Sequence, residues 1–417
     1  MKKFILINIL IYCYFTNYHA KALDINKWIL SAENDDYLKN HSEWASYFDK
    51  IPAQKSIINL KKIEFRTEFN EFDLSKQKYA FRFYPKTKDE ISSNEHLLKI
   101  LKKQIAAEHN LIFSQVLYKR YKLMIEYFET LSLHDIKNKL LVIYDDRVQV
   151  LKKKWINNMT MDINSLVSSE DNYNKLFIEL MNIDNKIKNI AAQMKQIANC
   201  SEINFDMNLC INPEEIESWL ISFQKDSIYE NADLNYQKSN TELAQKKYEI
   251  DFVKDKSFIN FISIDYNSDQ YRHFDKSFSM EFAFILPFFQ DNFDNTIKSK
   301  RKYLREKYKY QEEKIAFYEQ INAVSDSLNN QILKYYEFIN RNNEIQSDLS
   351  FEKYMNIEGA DPLTLLKIKE SFITKDLFIH NFSWAIRKQF IELIYLSGKL
   401  SEKPLRNYLS NKIEVIL

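Results

Sequence analysis

Glycine is nearly absent: Gly359 and Gly398 are the only two in 417 residues. A phosphate-binding loop or a dinucleotide-binding turn needs several glycines at fixed spacing, because only bare backbone approaches a phosphate closely enough. Both are excluded. The same scarcity favours long uninterrupted helices over a loop-rich fold. The seven histidines are scattered, with no nucleophilic triad, metal-ligand spacing or paired-carboxylate motif, so no catalytic function and no cofactor is expected. Lys and Arg number 59 against 58 Asp and Glu. That balance implies no broad attraction to nucleic acid. Beyond the N-terminus there is no continuous apolar 18-mer, so no transmembrane helix is expected. A chain of this kind meets a membrane only as a barrel or at its surface.

What is present begins with an export signal. Lys2 and Lys3 precede the apolar run FILINILIYCYF, and Ala20-Lys21-Ala22 gives a small-x-small cleavage pattern. Residues 1–22 therefore read as a signal peptide. Cys13 lies inside it, without the context of a lipoprotein cysteine. The two remaining cysteines, Cys200 and Cys210, stand in NCSEINFDMNLC. An exported chain meets an oxidising compartment, so a Cys200–Cys210 disulfide closing this short loop is expected.

Two hairpins interrupt a helical pattern. In IEFRTEFNEF (63–72) and KYAFRFYP (78–85), apolar and polar residues alternate, and Pro85 ends the pair. In FINFISIDY (258–266) and KSFSMEFAFIL (276–286) they alternate again, and Pro287 ends that pair. Period two with one apolar face marks a two-faced strand. Between and after the hairpins the period is helical. Residues 89–156 hold no Pro or Gly, and about 70 residues at ~1.5 Å each make a rod of about 100 Å. Leu176, Leu180, Ile183, Ile187, Ile190, Met194 and Ile197 then form a heptad seam. Asn212-Pro213-Glu214-Glu215 starts a further helix, expected to run to about Asp255. Ile321, Val324, Leu328, Ile332, Tyr335 and Phe338 form a second seam within a helix expected from 293 to about 355. A last helix carries Phe382, Ile386, Phe390 and Leu393.

The element order repeats. Pro85 and Pro287 lie 202 residues apart, which reads as an internal duplication. The expected organisation is a first repeat at 23–212 (hairpin 63–85, long helices 89–198), a second at 213–402 (hairpin 258–287, long helices 293–400) and a tail at 403–417 with no determined structure. The expected fold class is mainly α with β.

An isolated hairpin with an apolar face is not stable in water. Buried in lipid, it needs a closed barrel, since an open strand edge in hydrocarbon is prohibitive. Four strands cannot close one alone, so several protomers would share it. Phe81, Phe83, Phe278, Phe282 and Phe284 are then the lipid-facing candidates. Glu64, Arg66, Glu68, Lys78, Arg82 and Glu281 would line the wet bore. The alternative is an exported coiled-coil adhesin or structural protein whose hairpins pack on their own rods.

The run FAFILPFFQDNFDNTIKSKRKYLREKYKYQEEKIAFYEQINAV resembles the strand–proline–helix signature of the outer-membrane efflux protein family, the TolC-type ducts. FEKYMNIEGADPLTLLKIKESF resembles their second tip turn and returning helix. The resemblance covers nearly all of the chain after residue 22. It implies a homotrimer with a twelve-stranded barrel in outer-membrane lipid and a helical tunnel across the periplasm. It further implies a periplasmic adaptor and an inner-membrane transporter as partners, for efflux or type I secretion. In that family helix tips gate the periplasmic end, so the tip or docking candidates are Asp162, Ser168, Glu170, Asp171, Asp361, Thr364 and Lys367. Thr364 and Lys367 stand where the family often carries acids, and Gly359 matches its tip glycine.

Overall fold

The structure, a computed structural model, describes residues 24–50, 60–69, 77–156, 163–203, 205, 210–223, 231–255, 259–267, 277–284, 293–344, 353–354, 356–357 and 361–416. In chain order the helices are α1 (Ile25–Leu30), α2 (Asp36–Lys50), α3 (Lys88–Ile156), α4 (Ile163–Ala198), α5 (Pro213–Ser222), α6 (Ala232–Asp255), α7 (Phe293–Glu344) and α8 (Pro362–Leu396). Strands β1 (Leu60–Phe69) and β2 (Gln77–Pro85) precede α3. Strands β3 (Ile259–Asn267) and β4 (Phe278–Phe284) precede α7, and β5 (Arg406–Asn407) and β6 (Glu414–Val415) close the chain. Helices thus dominate, and the two longest, α3 and α7, each follow a hairpin. The 69 residues of α3 form one helix because nothing in them breaks it. No helix among the described residues is long and apolar enough to cross a membrane.

The helix ends follow from local chemistry. At the start of α3, Thr87 and Glu90 cap each other: the Glu90 carboxylate accepts from the Thr87 N–H at 3.0 Å and the Thr87 hydroxyl from the Glu90 N–H at 3.2 Å. Asn212 and Glu215 form the same box at α5. Asn199 ends α4 at φ 49°, and the Cys200 N–H reaches back to the Lys195 carbonyl, a left-handed cap closed by Asn instead of Gly. Gly398, at φ 78°, does the same after α8, where a side chain would meet the steric penalty of that region.

The chain divides into two compact units. The first holds Met1–Asp36, Phe113–Ile228 and Glu319–Leu417; the second holds Tyr37–Ile112 and Tyr229–Tyr318. In the first, α3 packs against α4 through Leu140, Leu176 and Leu180, and further along through Val148, Leu151 and Leu166. The α4 seam is buried at Leu176, Leu180, Ile183, Ile190 and Met194, whereas Ile197 is exposed. Trp28, Phe128, Ile386 and Phe390 are fully buried. Arg120 is buried against Trp28, with four oxygens taking its two terminal nitrogens while its Nε has no hydrogen-bond partner. Its guanidinium donates to the Trp28 and Ser31 carbonyls (3.3 and 3.2 Å), to the Ser31 hydroxyl and to Asp35 (3.2 Å), and lies over the Trp28 ring at 4.8 Å. The Trp28 indole N–H returns a bond to the Arg120 carbonyl at 3.2 Å. The ion pair with Asp35 and the three other oxygens offset most of the cost of burying this cation.

The structure corrects four expectations. Cys200 and Cys210 are not joined. Cys210 is buried, and its backbone bridges Ser410 while the Ile211 N–H bonds the Leu409 carbonyl at 2.8 Å. Cys200 sits half-exposed at the capped end of α4, its thiol pushed up in pKa by burial. Tertiary packing thus holds the two cysteines on different supports. The C-terminal tail is no loose end: Leu405, Tyr408 and Leu409 are buried, and the Tyr121 hydroxyl donates to the Arg406 carbonyl at 2.8 Å. The helix expected from 213 to about 255 is two helices, α5 and α6, the second capped by the Asn231 carboxamide. β1 starts at Leu60, three residues before the expected strand.

Candidate functional site

The two hairpins, separated by more than 170 residues, form one antiparallel sheet in the order β1-β2-β3-β4. It belongs wholly to the second unit. Its register is continuous: Phe65 faces Phe81, Phe81 faces Ile264, and Ile264 faces Met280. The next rung on this side carries Ile63, Phe83, Ile262 and Phe282, and the previous one Thr67, Tyr79, Tyr266 and Phe278. These side chains share one face because successive residues of a strand point to opposite sides. The face is uncovered in the single chain. Phe282 is 53% exposed, Met280 63% and Phe284 67%, and Phe81 is exposed while Phe83 is half-buried. Tilted ring pairs, Phe65–Phe81 at 4.8 Å and Tyr266–Phe278 at 5.1 Å, run across it.

The opposite face is polar. Glu64, Arg82, Ser263 and Glu281 form one row; Arg66, Ala80, Asp265 and Ser279 form the next; Glu68, Lys78 and Asn267 form a third. All six sequence-selected polar residues therefore share this face. Glu64 gathers an ion pair from Lys62, another from Arg66 at 3.1 Å and the Tyr84 hydroxyl at 2.9 Å. Arg82 approaches Glu281 at 3.8 Å and lies over the Phe261 ring at 4.4 Å. Asp265, which accepts from the Ser263 hydroxyl at 2.7 Å, belongs to the same face and was not selected from sequence. Alternation within β3 was the signal that could have found it. A concavity of about 660 Å³ opens on this side. Among the described residues, β1 and β4 are edges: no further strand pairs with either.

The tip candidates lie in the first unit, apart from Asp162, which falls outside the described residues. Asp361 caps α8, and its carboxylate takes the Lys154 ammonium of α3 at 2.8 Å and the Thr364 hydroxyl at 3.3 Å. The Lys154 hydrogen bond holds its pKa below the usual carboxylate value. Glu170 of α4 pairs with Lys152 of α3 at 2.8 Å. Ser168, Asp171 and Lys367 are exposed. The structure thus brings Asp361 and Thr364 together and links Glu170 to α3, without gathering all seven. One brace went unseen from sequence: Glu370 on α8 accepts from the Tyr144 hydroxyl at 3.0 Å and pairs with Arg147, both on α3. Nothing in one helix's sequence names its partner on another. Among the described residues no group of three or more His, Cys, Asp or Glu could hold a metal ion.

No protein-family model matches this chain, and no curated protein matches its sequence. Solved structures do match. The outer-membrane protein VceC of Vibrio cholerae superimposes with a TM-score of 0.64 at 13% identity, covering 89% of this chain and 95% of that one. The outer-membrane channel OprN gives 0.65 at 6% identity, with 89% of each chain covered. The CmeC outer-membrane channel of Campylobacter jejuni gives 0.62 at 11% identity, covering 93% of this chain and 86% of that one. The chain has the outer-membrane channel fold. The resemblance seen in the sequence is thereby met at the level of the fold. Long helices joined to two β-hairpins belong to this channel fold and run through nearly the whole chain.

Proposed function

We propose that the chain is one protomer of a TolC-type outer-membrane duct, a passive conduit for export. The observation that carries this is the four-stranded sheet with an apolar exposed face, a charged opposite face and two open edges. An open edge presents unpaired N–H and C=O groups, which hydrocarbon does not tolerate. Closing the edge of β4 on β1 of a further copy removes both problems at once. Three copies of the four strands make a barrel of about twelve, wide enough to enclose water. Phe81, Phe83, Phe278, Phe282 and Phe284 then meet lipid, and Glu64, Arg66, Glu68, Lys78, Arg82 and Glu281 line the bore.

In this reading the protein lies in the outer membrane, is exported by its signal peptide, and extends its long helices into the periplasm. It works with a periplasmic adaptor and an inner-membrane transporter in efflux or type I secretion, and the energy comes from the transporter. Asp162, Ser168, Glu170, Asp171, Asp361, Thr364 and Lys367 form the gate and docking end. The duct itself performs no chemistry.

The test is extraction and conductance. The protein should leave outer membranes only with detergent, migrate as a trimer, and open steady conductance steps in a planar bilayer. Release by salt or carbonate as a monomer would instead favour the coiled-coil adhesin.

A further inference from the structure

The root of α7 is strongly basic. Between Lys298 and Lys309 stand seven basic residues and one acid, Glu306, and all seven are exposed. The helix has a side already in use. Ser299 bonds Asp251 of α6, Tyr303 stacks on Tyr248 at 6.3 Å, and the Glu306 carbonyl accepts from Thr241 at 3.2 Å. At ~100° per residue, Lys298, Arg301, Lys302, Arg305 and Lys309 fall on one arc of about 100°, away from that side. Lys309 meets Glu313 at 3.7 Å. Among the described residues Lys298, Arg301, Lys302 and Arg305 have no ion-pair partner. Beside the row runs an exposed apolar stripe of Ile297, Leu304 and Tyr308.

The first repeat offers a control. Residues 88–109, the root of α3, carry four basic and four acidic residues; residues 293–314 carry eight and four. A repeat that has lost its balance on one exposed arc has a reason other than helix formation. The row also has a place in the fold. Ser299 is level with Asp251, which lies about 6 Å of helix from the end of α6 at Asp255. Four residues later β3 begins at Ile259.

Resting on the barrel assignment, we infer that Lys298, Arg301, Lys302 and Arg305 bind phosphate headgroups of anionic lipid in the leaflet at the base of the barrel. These four span roughly 10 Å of helix, and their long side chains extend that reach into a headgroup layer of roughly 5–8 Å. Guanidinium forks match phosphate oxygens, and ammonium groups add charge. A cationic row beside an apolar stripe is the pattern of a helix at a lipid interface. A free anion would call for donors converging on one point, and a linear row does not converge.

The test uses the full chain in neutral detergent, with lipid retained per chain read by native mass spectrometry. Phosphatidylglycerol should be retained over phosphatidylcholine. The variant Lys298→Gln/Arg301→Gln/Lys302→Gln/Arg305→Gln should lose about tenfold or more of that retention, while Lys300→Gln/Lys307→Gln should lose little. Equal retention of both lipids, or full retention by the fourfold variant, overturns the inference. Displacement by millimolar inorganic phosphate would make it a free-anion site and overturns it too. So would collapse of the oligomer in the fourfold variant with its helix content kept, because the row would then face a neighbouring copy. Channels that conduct normally and retain no anionic lipid sink this inference alone; failure to insert into bilayers sinks the barrel assignment.

Discussion

Two regions of this protein treat the same residue types in opposite ways. In the first unit, Trp28 and Phe390 have no exposed surface, and the buried Arg120 holds four oxygen partners. In the sheet of the second unit, Phe284 and Met280 lie open, while Arg82 and Glu64 hold partners on the other face. The first arrangement is the one water selects, because apolar area leaves water at a gain of about 25 cal/mol per Å². On the proposed function, the second suits a sheet with apolar solvent on one side. Composition cannot separate the two regions, since both use Phe, Ile, Arg and Glu. On that reading the surrounding medium separates them.

Substitution tests that contrast. The largest effect is expected from Trp28→Ala, about 3–5 kcal/mol of lost stability, read as a lower urea midpoint in detergent. Phe284→Ala should cost under about 1 kcal/mol in the same assay, because little surface is buried there in one chain. Equal losses would mean that the sheet face is a covered core after all. Next comes Phe282→Lys, which should lower the yield of membrane-inserted protein by about 2–4 kcal/mol of insertion free energy. Ser279→Lys, one strand-face away, should insert almost normally. A reversed ranking would show the faces to be exchanged.

A smaller effect attaches to the Lys154–Asp361 link in the first unit. The carboxyl is held below its ordinary pKa, so the link contributes stability above the unfolded value of about 3.8 and loses it as pH falls through the lower folded value. Both groups are partly exposed, so the contribution is at most about 1 kcal/mol. The distance between spin labels placed near the α3 and α8 ends should lengthen only below pH 4, and Lys154→Met should abolish that pH step. The smallest effect is expected from Cys200→Ser, which removes no bridge; its urea midpoint should be the same with and without reductant.

Much of this was legible in the sequence. The rods of α3 and α4 follow from the absence of Pro and Gly and from the seam at Leu176, Leu180 and Ile183. The two sheet faces follow from period two in Phe278–Phe284 and Phe81–Arg82. What the sequence withheld was every contact made between distant segments. The pairing of β2 with β3 joins two hairpins that each looked self-contained. Tyr121 anchors Arg406 across 285 residues, so the tail looked undetermined. Cys200 and Cys210 are close in sequence, yet the backbone of Cys210 is held by Ser410, and nothing local signals that. The tip residues were the least legible, because Asp361 draws its role from Lys154 on another helix.

The most direct measurement is quencher accessibility along β4 in lipid vesicles, with a spin label placed in turn at residues 279, 280, 281 and 282. Labels at 280 and 282 should respond to lipid-dissolved oxygen and labels at 279 and 281 to an aqueous nickel chelate. If all four respond to the aqueous chelate, or the period of two is absent, the strands do not stand between lipid and water, and the duct is refuted.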